Sequence, residues 1–335
     1  MINFALFGVG FIGTVHLRCI NANPRTRLTW VYDVNRQAAE KAAATCAAQV
    51  ADSPEQALKA GDVDAVLIAS STNTHADLMT ASARAGKAVL CEKPIDLNIQ
   101  RVRSCVAEVE PTGVPVGLGF NRRFDPHHRE LYEHIRSGRI GKIEMAIFTN
   151  RGPAPPPISY VKVSGGQLRD QTIHFFDLAR FILGEEPVEI FVAGACLVDP
   201  AIGEAGDIDT SMVTLRMESG ALCMIDSSRR TGYGYDERLE VFGSEGLVES
   251  ERQRSRGVSC YRGDRIIQSG MYPGWFERME PTYALSLDAF VTALEEGRAP
   301  SPGLQDGLRA QLMAEAAVRS LKENRPVRLD EIQGL

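Results

Sequence analysis

Asp170 and His174 stand four residues apart in the run Arg169-Asp170-Gln171-Thr172-Ile173-His174. Upstream come Glu92-Lys93-Pro94 and, near the start of the chain, Gly8-Val9-Gly10-Phe11-Ile12-Gly13. On a helix, positions i and i+4 share one face, so a carboxylate there can touch an imidazole. It would fix the tautomer of that imidazole and stabilise its cation when a proton arrives. A lysine ammonium can stabilise charge developing on an oxygen. A glycine turn between a strand and a helix can hold a pyrophosphate. In that order, these are the parts needed to oxidise an alcohol without a metal. Each has a plainer reading. A lysine after a strand is more often a solvated charge. An Asp–His pair on a helix is often a surface contact worth about 0.2–0.5 kcal/mol.

The elements that must position these residues follow from the apolar pattern. Residues 2–7, 28–32, 65–69 and 88–91 read as short buried strands, and residues 12–21, 36–46 and 75–85 as helices between them. Ser53 before Pro54, with Gln56 beyond, marks another helix start. Such alternation predicts a parallel, doubly wound sheet. The texture changes after about residue 122. Strands are expected at 143–150, 188–197, 211–217, 222–227, 238–242 and 246–250, with turn signals at Ser219-Gly220 and Gly243-Ser244. Helices are expected at 170–183, 283–296 and 307–324. The spacing predicts an α/β fold in two domains, 1–122 and 123–335. The second is α+β with a large, mostly antiparallel sheet.

In the first domain the glycines sit where a dinucleotide turn needs them. Gly8 permits the tight bend, Gly10 lets the backbone approach the pyrophosphate, and Gly13 lets helix and strand pack closely. Phe11 and Ile12 open the helix whose free N–H groups would face the anion. Asp33 ends the second strand, where a carboxylate can bind both ribose hydroxyls and would repel a 2′-phosphate. This favours NAD over NADP, although Arg36 close by partly offsets the repulsion.

Bulk properties narrow the classes. The chain has 335 residues, 44% hydrophobic and 24% charged, with a net charge of −6, and no long basic block. Nucleic acid and anionic membrane are poor partners for such a chain. Its seven cysteines are dispersed, odd in number and without a C-x-x-C pair, which argues against a disulfide framework or a structural zinc. There is no signal-like start and no apolar run long enough for a bilayer. A cytoplasmic protein without a metal is expected.

Three segments carry a family resemblance: the glycine run 8–13, the run Ile68-Ala69-Ser70-Ser71-Thr72-Asn73-Thr74-His75, and Gly86 through Pro94 with its Glu-Lys-Pro. The chain resembles the glucose–fructose oxidoreductase / inositol dehydrogenase (Gfo/Idh/MocA) family. Gly119-Phe120-Asn121-Arg122-Arg123-Phe124-Asp125, Ser164-Gly165-Gly166, the Asp170–His174 run with Asp177, and Tyr235 through Gly243 resemble its inositol 2-dehydrogenase branch. The resemblance implies an N-terminal Rossmann domain and a C-terminal domain with an open-faced sheet. It implies that Lys93 hydrogen-bonds the reacting hydroxyl, His174 takes its proton and Asp170 pairs with His174. Cofactor contacts are expected from Gly8, Gly10, Phe11, Ile12, Gly13, Asp33, Arg36, Ser70, Asn73, His75, Glu92 and Lys93. A cyclic polyol needs many polar contacts, and Lys93, Asn121, Arg122, Tyr160, Asp170, His174, Tyr233 and Tyr235 are the candidates. Asp177 is either a support for His174 or a structural carboxylate.

The chain departs from the family at Gly152 and Phe175, where relatives often carry Asp. Myo-, scyllo- and chiro-inositol therefore stay open, as does an aldose oxidised at its anomeric hydroxyl. A third reading is a regulator that senses NAD(H) without turnover; retention of Lys93 and His174 weighs against it. The uncovered face of the second sheet predicts a homo-oligomer, and the resemblance suggests a tetramer.

Overall fold

The computed structural model describes residues 1–333. Two compact units form. The first contains residues 1–124 and 280–311; the second contains residues 125–279 and 312–333 of the described chain.

The first unit carries strands β1 (Ile2–Phe7), β2 (Thr26–Tyr32), β3 (Gln49–Val50), β4 (Ala65–Ile68), β5 (Ala88–Cys91) and β6 (Val116–Leu118). Helices α1 (Phe11–Ala22), α2 (Arg36–Ala44), α3 (Pro54–Lys59), α4 (His75–Arg84) and α5 (Ile99–Val109) lie between them in sequence. All six strands are parallel, in the order β3-β2-β1-β4-β5-β6. This is the Rossmann order, in which the chain reverses direction from β1 to β4 and leaves a crevice at the C-terminal strand ends. β4 and β5 are buried at every position, as strands covered on both faces must be.

The sequence division after residue 122 places residues 280–311 with the second domain; in the structure they pack with the first unit. The reason is apolar. Leu287, Phe290 and Val291 join Phe4, Leu6, Ile20, Leu28, Leu67 and Leu90 in one buried cluster. Each such side chain contributes about 1.5–3 kcal/mol on burial.

The second unit begins with α6 (Pro126–Arg136) and β7 (Ile143–Arg151). It continues through α7 (Ile158–Ser164), α8 (Gln167–Asp170), α9 (Ile173–Leu183), β8 (Pro187–Ala195), α10 (Pro200–Glu204), β9 (Thr210–Met217), β10 (Leu222–Ser228), β11 (Asp236–Gly243) and β12 (Gly246–Glu249). A hairpin of β13 (Ser259–Arg262) and β14 (Arg265–Gln268) follows. The remaining elements are α11 (Trp275–Glu295), α12 (Leu304–Glu323), β15 (Val327–Arg328) and α13 (Asp330–Gln333). α11 and α12 each have residues in both units.

The second sheet runs β12-β11-β7-β10-β9-β8-β15 and is antiparallel except for β10 beside β7. Its strands alternate. Phe148, Val213, Leu215, Ile225, Leu239 and Val241 are buried on one face. Met145, Met212, Leu222, Phe242 and Leu247 point the other way and are exposed. α9 is buried almost all round, and its Phe175 packs on Phe148 with ring centroids 6.4 Å apart.

The pattern over residues 170–183 predicts a single helix, with Asp170 and His174 on one face. The structure has two helices, α8 ending at Asp170 and α9 starting at Ile173. Between them, the Thr172 N–H returns to the Gln167 carbonyl five residues back, a wide turn that interrupts the regular ladder. The Gln171 side chain holds the break in place by donating to the Asn150 and Ser228 carbonyls. Simple i, i+4 geometry therefore does not describe the Asp170–His174 pair.

Candidate active site

The residues singled out above fall into two groups, one in each unit.

In the first unit, β1 delivers the chain to Gly8, whose φ of +93° suits only glycine. A Cβ at Gly8 would lie 2.5 Å from the Ser70 backbone, and one at Gly13 would lie 2.1 Å from the Gly8 carbonyl oxygen. At Gly10 nothing lies within 4 Å of such a Cβ. Two glycines thus serve close packing, and the third leaves open space over the turn. α1 starts at Phe11 with no side-chain cap and no acidic residue in its first turn, a helix start whose dipole suits an anion. Phe11 is exposed, and Ile12 is half-buried beside it.

Asp33 sits just past β2. Its Oδ2 accepts from the Val9 N–H at 2.7 Å and its Oδ1 from the Asn35 N–H at 2.8 Å. The carboxylate therefore staples the glycine turn to the end of β2, while each oxygen keeps a further lone pair for a ribose hydroxyl. Arg36 is exposed and pairs with Asp52 and Glu40. Those two partners, Asp52 foremost, push its pKa further up.

Ser70 Oγ bonds Thr74 Oγ1 at 2.7 Å, and Asn73 is exposed on the intervening turn. His75 opens α4 but is only 2% exposed. Its ring nitrogens face the Pro94 carbonyl at 2.8 Å and the Ser70 carbonyl at 3.1 Å. It therefore ties the loop after β4 to the Glu-Lys-Pro run after β5. Lys93 is half-buried in that run.

Glu92 is held from the other side by His16 of α1, with Nε2 to Oε1 at 2.7 Å. Burial opposes ionisation of Glu92 most strongly, but His16, then Lys93 and His75, hold its pKa below the ordinary carboxylate value. Asn121 and Arg122 are both buried. The Asn121 amide donates to Thr282 Oγ1 at 2.7 Å, and its carbonyl accepts from Arg122 at 2.9 Å.

In the second unit, Asp170 Oδ1 accepts the Tyr160 hydroxyl at 2.9 Å, so these two candidates do meet. His174 lies in the first turn of α9 and is 7% exposed. Asp177, one turn on, is fully buried. Tyr233 is half-exposed; its hydroxyl donates to Asp236 at 2.9 Å and accepts from Arg151 at 3.4 Å. Burial works against the charged form of Asp236, but Arg238, Tyr233 and Arg252 keep its carboxyl below its usual pKa. Tyr235 is instead buried, and its hydroxyl donates to Glu237.

The sequence pattern alone left out four participants. His16 gives no local sign of its partner, which lies 76 residues away. Gln171 stands inside the quoted run, but its acceptors are on β7 and β10. Arg151 pairs with Asp226 across neighbouring strands.

A Rossmann sheet with an open glycine turn, joined in one chain to a mixed sheet unit, defines a dinucleotide-dependent oxidoreductase class. Residues 2–120 match the model described as "Oxidoreductase family, NAD-binding Rossmann fold", and residues 128–249 match the GFO/IDH/MocA C-terminal domain. The chain belongs to the GFO/IDH/MocA family of NAD-dependent oxidoreductases. It is 45% identical to an inositol 2-dehydrogenase of Rhizobium meliloti (strain 1021), over 97% of this chain and 98% of that one. It is 42% identical to a myo-inositol 2-dehydrogenase of Thermotoga maritima, over 98% and 99%. The crystal structure of a myo-inositol dehydrogenase from Corynebacterium glutamicum superposes with a TM-score of 0.93 at 37% identity, covering 98% of this chain and 99% of that one.

Proposed function

We propose that the protein oxidises a secondary ring hydroxyl of a cyclic polyol, an inositol, to the ketone. The observation that carries this reading is near-full-length identity above 40% to two inositol 2-dehydrogenases. When bound, NAD supplies the hydride acceptor. The open turn at Gly10, the uncapped start of α1 and the spare lone pairs of Asp33 suit its pyrophosphate and ribose.

The chain's own residues do the rest. Lys93 donates to the reacting oxygen and stabilises charge there as the hydrogen leaves carbon. His174 accepts the hydroxyl proton, and Asp170 stabilises the resulting imidazolium. Tyr160 supports Asp170 through their hydrogen bond. Phe175 is 1% exposed and packs on Phe148, so position 175 serves the core in this chain. Its departure from the family's frequent Asp does not remove a carboxylate from an exposed surface.

A panel of inositol isomers and aldoses with NAD, scored for NADH, tests the substrate class. Turnover on an inositol supports it. Turnover on aldoses alone moves the substrate to a sugar, and NAD binding without any turnover favours a sensor.

NAD is preferred over NADP in this reading. The Asp33 carboxylate repels a 2′-phosphate, and Arg36 is already engaged by Asp52 and Glu40. Asp33→Ala is expected to weaken NAD binding at least about 10-fold more than NADP binding, the loss of one charge-assisted bond pair. Some loss is shared by both cofactors, because Val9 N–H loses its acceptor. Titration of the two cofactors checks the ratio, and equal losses would remove Asp33 as the reader of the ribose.

The protein is also proposed to be a cytoplasmic homo-oligomer, a tetramer by analogy with its family. Leu222 lies beside Met145, and Phe242 lies beside both Met145 and Leu247, on the exposed face of the second sheet. Such a contiguous apolar patch suits burial against another copy. Light scattering reads the mass directly.

A further inference from the structure

The His16–Glu92 pair is a costly feature that proton and hydride transfer do not use. The side chains are 5% and 13% exposed. They border a crevice too narrow to hold water, lined also by Asn121, Tyr283 and Ser286. The His16 ring meets the edge of Tyr283 with centroids 5.4 Å apart. A buried carboxylate held by an imidazole rarely earns its place through stability, since well-packed apolar residues often do as well or better. A different reason is needed for one beside Lys93.

The geometry supplies it. Glu92 N–H donates to the Ile68 carbonyl at 2.9 Å, which anchors the residue at the end of the sheet. Its Oε1 is taken by His16, and its Oε2 accepts the Lys93 N–H at 3.3 Å. The carboxylate therefore folds back over the backbone of the very next residue. Gly119 makes room for it: a Cβ there would lie 2.6 Å from Oε2. On the far side of Lys93, the Pro94 carbonyl is held by His75. The lysine backbone is thus fixed on both flanks by histidine-held groups, and one of them comes from α1, the helix that opens at the glycine turn.

We propose that Glu92, held by His16, is a positioning residue that fixes the Lys93 backbone so that its ammonium meets the reacting oxygen in one orientation. This rests on the reading of Lys93 as the catalytic lysine. The carboxylate acts through Lys93 and not through contact with the cofactor. Misplacing a catalytic group by about 1 Å can cost on the order of 10²-fold in rate, so the effect belongs in kcat and not in cofactor affinity.

The test compares His16→Leu, His16→Gln and the double variant His16→Leu/Glu92→Met, with Lys93→Ala alongside, on the full-length protein. The readouts are kcat, the dissociation constant for NADH by fluorescence, and the melting temperature. His16→Leu is expected to lose about 10- to 10²-fold in kcat, with NADH affinity within about twofold. His16→Gln, whose amide can donate to Glu92, should recover most of that loss. The double variant removes the uncompensated carboxylate, so its melting temperature should return toward that of the starting protein while kcat stays low.

Recovery of kcat together with stability would make the pair merely structural and overturn the proposal. A rise in the NADH dissociation constant matching the kcat loss would make Glu92 a cofactor contact and overturn it too. If Lys93→Ala abolishes turnover while His16→Leu and the double variant do not reduce it, only the positioning claim falls. If Lys93→Ala itself keeps full turnover, the catalytic reading of Lys93 fails and this proposal falls with it.

Discussion

His174→Ala is expected to lower kcat by about 10²- to 10⁴-fold, the range over which a positioned general base acts. NADH affinity should stay within about twofold, because a general base acts in the chemical step and not in cofactor binding. The profile of kcat/KM against pH should also lose its dependence on a deprotonated group. The side chain is buried among core residues of α9, so a melting curve must accompany the kinetics. Alanine there also leaves a small cavity. His174→Gln fills the site and keeps a hydrogen-bonding tip without a titratable base, so it should stay as slow as alanine. A His174→Ala protein with near-normal kcat would place the base elsewhere.

The second large effect is expected at Lys93. Removing a preorganised donor to a developing oxyanion commonly costs about 10²- to 10³-fold in kcat, and Lys93→Ala should fall in that range. Lys93→Arg should not restore the rate, because the guanidinium is a planar fork on a longer stem and cannot replace a compact ammonium at the same point. Steady-state kinetics of both variants, with NADH titration, separates loss in the chemical step from loss in binding. Equal falls in kcat and kcat/KM mark an interaction made in the transition state. A rise in KM alone would reduce Lys93 to a substrate-binding group.

The local parts of this architecture were legible in the residues. Apolar runs that stop at Gly8 and Glu92 mark strands β1 and β5, because a buried parallel strand reads as an unbroken apolar stretch. The glycine turn was legible for the same reason: its requirements are backbone requirements, and they show in the residue types. What depended on distant partners was not. The break after Asp170 comes from Gln171 reaching the carbonyls of Asn150 and Ser228, neither of which is a sequence neighbour. The amphipathic pattern of residues 283–296 announces a helix, yet cannot tell which core receives Leu287, Phe290 and Val291. β6 is three residues long and gives no period to read. The β13–β14 hairpin turns at Gly263-Asp264 but is not legible in the sequence, since its strands are exposed and lack apolar alternation.

The candidate site divides along the same line. Asp33 is legible from type and spacing, whereas His75, Glu92 and Lys93 are marked by the family resemblance, and the structure adds what holds them: Val9 and Asn35 for Asp33, Pro94 and Ser70 for His75. Tyr160 and Asp170 were proposed separately as polar contacts and turn out to be bonded. Tyr233 and Tyr235 looked alike in sequence, but one is half-exposed on Arg151 and Asp236 and the other is buried on Glu237. Only packing separates two tyrosines two residues apart.

The most direct measurement incubates the purified protein with NAD and each inositol isomer in turn, and quantifies NADH and the cyclic ketone in the same sample. At least one isomer should give the two in equal amounts, neither formed when NAD or the inositol is omitted and both lost in His174→Ala. Failure of every inositol isomer to yield ketone, with NAD bound, would contradict inositol oxidation.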